Sequence, residues 1–324
     1  MKKLLTLLLA LALVFSLTAC VTAPAADTTE STAPVGTTDP DLTPSSPLLY
    51  KVSTPEGGTV WLLGSVHVGI HQMYPLPDYV MNAYAEAQAL AVECDVVAAE
   101  EDLEGSMNAL TGLLYQGNTK ISDRIPAELY LNALDILQEN KVYMRALDYY
   151  KPVMWFSFVD SCSYYKYGYD VNNGIDVHLL NQAKDDGKEI REIESVAFQY
   201  GMLASFSEEL QILLLEEAVA NYHSEEAQQA MDSLLKAWCE GDEQTLTGLL
   251  FTDEAPTDAN EEKLLTEYTT AMVTNRNISM ANYAEKILKN GEKVFICVGM
   301  GHILGEGGVV DLLTQRGYTA ELVK

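Results

Sequence analysis

Two short segments of this chain carry the residues best suited to chemistry, and they share one frame. Gly64-Ser65-Val66-His67 follows the apolar run Val60 to Leu63, and Gly299-Met300-Gly301-His302 follows the apolar run Val294 to Val298. Each run is β-branched and aromatic enough to be a buried strand. The glycines after it allow a tight turn and a close approach to the backbone. Two acids stand at comparable places, Glu93 after the run 89–92 and Glu194 after the run 189–193. Imidazole nitrogen and carboxylate oxygen are the usual ligands of catalytic zinc, manganese or cobalt. Two histidines and one carboxylate would hold such an ion and leave positions open for water and substrate. A buried His/Glu/Arg salt-bridge network, which needs no metal, uses the same residue types.

These residues act together only if the strands before them are parallel, because then all four stand on one edge of a sheet, where open α/β sheets keep their ligands. The rest of the pattern supports such a sheet. Residues 48–53 and 59–63 form a hairpin around Pro55-Glu56-Gly57-Gly58, and a helix over 79–88 could be capped by Asp78. Helical periodicity then dominates 103–115, 126–139 and 151–165. It returns over 177–184, through a long block at 196–250, in a helix ending near Asn275-Arg276-Asn277, and over 280–289 and 308–315. A last strand spans 318–323. The expected architecture is α/β, a mixed central sheet with flanking helices and two large helical insertions near 103–170 and 196–290.

Composition bounds the partners. The chain has 324 residues, 48% of them hydrophobic, and a formal net charge of −27, which argues against nucleic acid as a partner, because a phosphate backbone needs clustered Lys and Arg. Lys2 and Lys3 followed by the apolar residues 4–17 form a signal segment too short to span a membrane comfortably. It closes on Leu17-Thr18-Ala19-Cys20, which resembles a bacterial lipobox, so Cys20 is the expected lipid anchor. Residues 21–47, rich in Thr, Ala and Pro, form a tether that cannot bury enough surface to fold. The domain organisation is thus signal peptide 1–20, tether 21–47 and folded domain 48–324, on the extracytoplasmic face of a membrane. The four remaining cysteines match no zinc or redox spacing; a Cys162–Cys239 disulfide is possible there but not deducible. His71 is a candidate support for His67, His178 and His223 fall in helices, and the tyrosines at 164, 165, 167 and 169 either line a cleft or pack. No Gly-x-Ser-x-Gly elbow, P-loop or dinucleotide fingerprint is present.

The motifs and their order resemble the TraB/PrgY/GumN family, which includes the Tiki metalloproteases. The matching pieces run from Trp61-Leu62-Leu63-Gly64-Ser65-Val66-His67 through Ala91-Val92-Glu93, Gly174-Ile175-Asp176, Glu194 and Arg276-Asn277. They end with the segment from Val298 through His302 to Gly308 and the trailing residues 317–323. The resemblance implies an α/β core like that of erythromycin-esterase-like and ChaN-like proteins. It also implies metal-dependent peptide hydrolysis, with His67, Glu93 and His302 as metal residues and Glu194, Arg276 and Asn277 in the same pocket. Glu93 or Glu194 would be general base and Arg276 would face the developing oxyanion. Asp176, Glu194 or a backbone carbonyl should hold the second nitrogen of a histidine. The substrate, a peptide or other small molecule, is not named by the residues. A non-enzymatic surface module that binds a peptide pheromone or a polysaccharide is the alternative.

Overall fold

β2, Thr59–Ser65, is buried at all seven positions, as an unbroken apolar run must be when both faces of its sheet are covered. In the computed structural model, which describes residues 45–251 and 255–323, it lies near the middle of a six-stranded sheet. The other strands are β1 Leu49–Ser53, β3 Ala89–Val92, β4 Glu189–Glu192, β5 Lys293–Gly299 and β6 Ala320–Val323, in the order β4-β3-β5-β2-β1-β6. β2, β3, β4 and β5 run parallel, while β1 is antiparallel to both β2 and β6. The sheet is therefore mixed, and the four strands that precede His67, Glu93, Glu194 and His302 all end on the same edge.

Helices cover both faces. Trp238, on the helix Glu225–Glu240, is fully buried and donates its indole N–H to the Gly64 carbonyl at 2.7 Å. Leu62, Leu63, Leu90 and Phe295 are wholly enclosed between the layers, and truncating one such leucine to alanine costs roughly 2–5 kcal/mol. The helices Pro152–Tyr167 and Glu208–Tyr222, one from each expected insertion, pack on one another; Lys166 reaches the Tyr222 carbonyl and Tyr167 the Asn221 carbonyl. Pro152 opens the first of these helices, where its missing N–H costs nothing, and Gly168 closes it in the left-handed region.

Several local expectations give way. Asp78 does not cap its helix: it lies inside the first turn of Asp78–Glu86, and Pro77 precedes it. The pattern over 103–115 is a helix Leu103–Leu110 followed by a 3-10 turn Thr111–Leu113. Asn275-Arg276-Asn277 does not end a helix. It begins Asn275–Asn290, which continues from Ala259–Thr269 through a π turn at Thr270–Thr274. Cys94, Cys162, Cys239 and Cys297 are all free and buried, so no disulfide joins Cys162 to Cys239. No helix among the described residues is long and apolar enough to cross a membrane. The signal segment, Cys20 and nearly all of the tether lie outside the described residues, as does part of the acidic loop after Phe251.

Candidate functional site

At the shared edge, each group is brought in by a close backbone approach. Gly64 is required because the short helix Met300–Ile303 crosses over it: a Cβ there would stand 2.5 Å from Met300 Sδ and 2.9 Å from Met300 Cα. Gly174 is required for the same reason, since a Cβ would meet the His67 carbonyl at 2.6 Å. The Ile175 N–H then bonds the Val66 carbonyl at 3.0 Å, which docks the first turn of the helix Ile175–Asp186 beside His67. That turn delivers Asp176, whose Oδ1 lies 3.2 Å from His67 Nδ1. The Nε2 of His67 is left facing inward.

Gly299 marks the point of convergence. A Cβ built on it would lie 3.2 Å from Glu93 Oε1, 3.3 Å from His67 Nε2 and 3.6 Å from His302 Cδ2. Three side chains from three strands thus surround a space that any residue but glycine would fill. Glu93 Oε1 accepts the Gly299 N–H at 2.7 Å and lies 3.7 Å from His302 Nε2. The cavity beside these groups is about 30 Å³, lined by Ser65, His67, Glu93, Asp176, Gln199 and Cys297 among others. That is room for one or two waters or an ion.

The tautomer of His302 follows from its neighbour. Asn277 donates its side-chain N–H to the Gly307 carbonyl at 2.9 Å, so its carbonyl oxygen is the atom 2.6 Å from His302 Nδ1. Nδ1 therefore carries the proton and Nε2 presents a bare lone pair. His302 is fully buried, and its Nε2 has no hydrogen-bond partner. Burial, then the charge of Arg276, depress its pKa to about 3 against the pull of Glu93, which keeps the ring neutral.

Behind Glu93 the charges are paired. Arg276, 2% exposed, reaches Glu93 Oε2 at 2.5 Å and Glu194 Oε1 and Oε2 at 2.8 and 2.9 Å. Gln199 donates to Glu93 at 3.2 Å and to Glu194 at 3.0 Å, and accepts the Cys94 S–H at 3.4 Å. Burial works against ionisation of Glu93, but Arg276, the two histidines and the Gly299 N–H hold it well below the ordinary carboxylate range. Burial also lowers His67, yet Asp176 and Glu93 outweigh it and carry its pKa up to about 9. Glu93, Glu194 and the partly buried Asp176 outnumber the Arg276 guanidinium, and His67 offsets part of that deficit by holding a proton.

His67 and Glu93 thus line the cavity, while His302 is not in its wall and meets them at Gly299, with its Nε2 3.7 Å from Glu93 Oε1; Asn277 touches His302, and Glu194 and Arg276 stand behind Glu93. Among the described residues no three His, Cys, Asp or Glu side chains are drawn together as a ready metal cluster. Glu93 is already engaged by Arg276, Gln199 and Gly299. The donor chemistry nonetheless suits a divalent cation: two imidazole nitrogens and a carboxylate oxygen face one space. The 3.7 Å between His302 Nε2 and Glu93 Oε1 is also a span that two ligands, each about 2 Å from a shared ion, can cover.

Gln199, five residues beyond Glu194 on the helix Val196–Ala204, is the site residue that sequence reasoning missed. A glutamine inside an apolar helix was its only signal. His71 is exposed on a 3-10 turn and does not line the cavity. His178 stacks on Tyr74 with ring centroids 4.1 Å apart, and His223 is exposed. Three of the clustered tyrosines are packing residues: Tyr164 bonds Asp160, Tyr167 the Asn221 carbonyl and Tyr169 Asp232; Tyr165 is exposed.

Comparison with known proteins finds a family and weak relatives. An uncharacterized protein named YbaP from Escherichia coli (strain K12) is 24% identical over 257 residues, covering 78% of this chain and 86% of its own. YbaP from Shigella flexneri matches to the same extent. No solved structure matches. The model of the TraB/PrgY/gumN family matches residues 48–322, the whole folded part, and the chain belongs to that family.

Proposed function

We propose that this protein is a divalent-metal-dependent hydrolase acting on peptides, tethered outside the cytoplasmic membrane. The observation that carries the reading is the facing pair His302 Nε2 and Glu93 Oε1. Two buried acceptors stand 3.7 Å apart, and His302 contributes no proton between them. Such a pair is stable only with something electropositive nearby. Nε2 of His67, Nε2 of His302 and Oε1 of Glu93 would hold the cation, which would replace the proton that His67 carries in its absence. When bound, the cation lowers the pKa of water and polarises a carbonyl oxygen. Asp176 and Asn277 orient the two imidazoles, each through Nδ1. Arg276 keeps Glu93 charged, which suits its Oε1 to holding a cation. Glu194 balances Arg276, and Gln199 holds the two acids in register.

The test is calorimetry with manganese, cobalt and zinc on wild type and on His302→Ala. One ion per chain is expected for wild type, and at least tenfold weaker binding for the variant. Equal binding, or none in either, removes the metal. A wild-type protein that binds metal but cleaves nothing in a broad peptide library would instead favour the non-catalytic module that binds a peptide pheromone or polysaccharide. The pairing of both acids with Arg276 supports that second reading, since such a network stands without metal.

The location is a separate proposal, resting on Leu17-Thr18-Ala19-Cys20 and the composition of the tether. Stable attachment needs more than one acyl chain. Cys20→Ala should release the protein from the membrane fraction of the expressing cells; unchanged membrane association would end the idea.

A further inference from the structure

The glycine-rich run after His302, Gly305-Glu306-Gly307-Gly308, does not line the cavity of the histidine centre, so its composition needs another reason. Gly307 lies in the left-handed region at φ 73°, with nothing within 4 Å of where a Cβ would stand. Glycine there serves the turn and not a close approach. The turn aims both polar groups of Gly307 at named partners. Its N–H donates to Asp311 Oδ2 at 2.8 Å, and its carbonyl accepts the Asn277 side-chain N–H at 2.9 Å. Asp311 stands in the first turn of the helix Val309–Gln315, where Gln315 bonds the same carboxylate oxygen at 2.9 Å.

What this chain of bonds holds is a proton. Asn277 Oδ1 lies 2.6 Å from His302 Nδ1, which puts the ring proton on Nδ1. Yet the ionised Glu93 places Oε1 3.7 Å from Nε2, which has no hydrogen-bond partner. A buried imidazole free to choose would turn its proton toward the carboxylate and make the charge-assisted bond. A half-turn of the Asn277 amide would permit that, by presenting N–H to Nδ1 instead of oxygen. The Gly307 carbonyl opposes the half-turn, because it would then face the amide oxygen, acceptor against acceptor, in a buried place. It can do so only while its own position is fixed, and Asp311 is the side chain that bonds the Gly307 N–H.

We propose that Asp311 is a positioning residue for His302, acting through Gly307 and Asn277 to hold the ring proton on Nδ1 and keep the lone pair of Nε2 bare toward Glu93. That this lone pair takes a cation rests on the metal reading above; the tautomer does not.

The experiment is nitrogen NMR of metal-free protein labelled at its histidine rings, in which a protonated ring nitrogen and a bare one resonate far apart. His302→Ala identifies the signals of that ring by their loss. Wild type should show Nδ1 protonated over Nε2 by roughly tenfold or more, and Asp311→Ala should lower that ratio at least several-fold. Gly307→Ala, which disfavours the left-handed turn, should do the same, and it carries the test if Asp311→Ala does not fold. Asp311→Asn keeps an oxygen for the Gly307 N–H and should retain the wild-type ratio. Gly117→Ala imposes a like strain at φ 66°, also in open space, and should change nothing. Melting curves confirm that each variant is folded. A wild-type ring protonated on Nε2, or on both nitrogens, overturns the proposal. So does a wild-type ratio in folded Asp311→Ala or Gly307→Ala, or an Asp311→Asn as deficient as Asp311→Ala. An equal shift in Gly117→Ala also overturns it, since strain alone would then account for the change. Failure of the metal to bind would leave these spectra as they are, so the two readings fall separately.

Discussion

Glu93 and Asp160 are both buried carboxyl groups, and their surroundings drive them in opposite directions. Glu93 has a guanidinium against it and stays ionised. Asp160, on the helix Pro152–Tyr167, has only the Tyr164 hydroxyl at 2.5 Å; burial outweighs that bond and raises its pKa from 3.8 to about 7. A folded-state value above the unfolded one means the folded chain holds an extra proton across that interval. This contribution to stability is complete below pH 3.8 and is lost as pH rises through about 7. Asp160→Asn removes the titration while keeping the shape. Denaturant unfolding at pH 5 and pH 8 should show the wild type losing roughly 3 kcal/mol relative to the variant, at 1.36 kcal/mol per pH unit up to the folded pKa. A constant difference between the two proteins would mean that Asp160 is not protonated in the fold. The same contrast explains why Arg276 is central: without it, two buried acids lose their counter-charge, and breaking such a pair usually costs about 3–5 kcal/mol.

At the scale of elements, the parts that the sequence made legible were those fixed by local chemistry. The apolar runs before His67 and His302 are strands because nothing polar interrupts them, and the glycines that close them, Gly64 and Gly299, mark approaches that Met300 and the Glu93 and His67 side chains confirm. The parallel alignment followed from strand–helix alternation, and it is what places His67, Glu93, Glu194 and His302 on one edge. What failed was a helix boundary. Asn275-Arg276-Asn277 was expected to end a helix, yet it begins Asn275–Asn290, and Arg276 and Asn277 are each 2% exposed, polar because they face buried acids and an imidazole. The π turn just before them was equally hidden. It shifts the helical register at the point where Arg276 meets Glu93 and Glu194, a common use of such turns. Asp176 was foreseen only as one of several possible partners for a histidine. The choice depends on how closely Gly174 lets its helix approach, which is a tertiary fact. Gln199 had only the weak signal of a glutamine in an apolar helix, because its role lies in bridging two acids that follow different strands.

For the whole molecule, chain order and spatial order disagree in a way that governs folding. β5, at 293–299, lies between β2, at 59–65, and β3, at 89–92. The two early strands therefore do not touch each other; each meets the sheet through a strand made more than 200 residues later. β4, β6 and the helix that carries Trp238 are likewise supplied from beyond residue 170. A fragment of residues 48–170 would have its hairpin, an isolated β3 and a helix, Pro152–Tyr167, stripped of its partner Glu208–Tyr222. It would expose apolar strand faces with no neighbour, and an isolated hairpin is at best marginally stable in water. The loop-closure cost of the late pairings falls on the intact chain too, which makes folding slow relative to its size. Residues 48–324 should melt in one cooperative transition seen alike by near- and far-ultraviolet circular dichroism, and 48–170 should show no such transition. A fragment 48–170 with dispersed amide proton signals and a sharp melt would show that the first half folds alone. The histidine centre would then lie between two independent units, rather than within the single sheet whose middle strand β5 comes more than 200 residues after its neighbours β2 and β3.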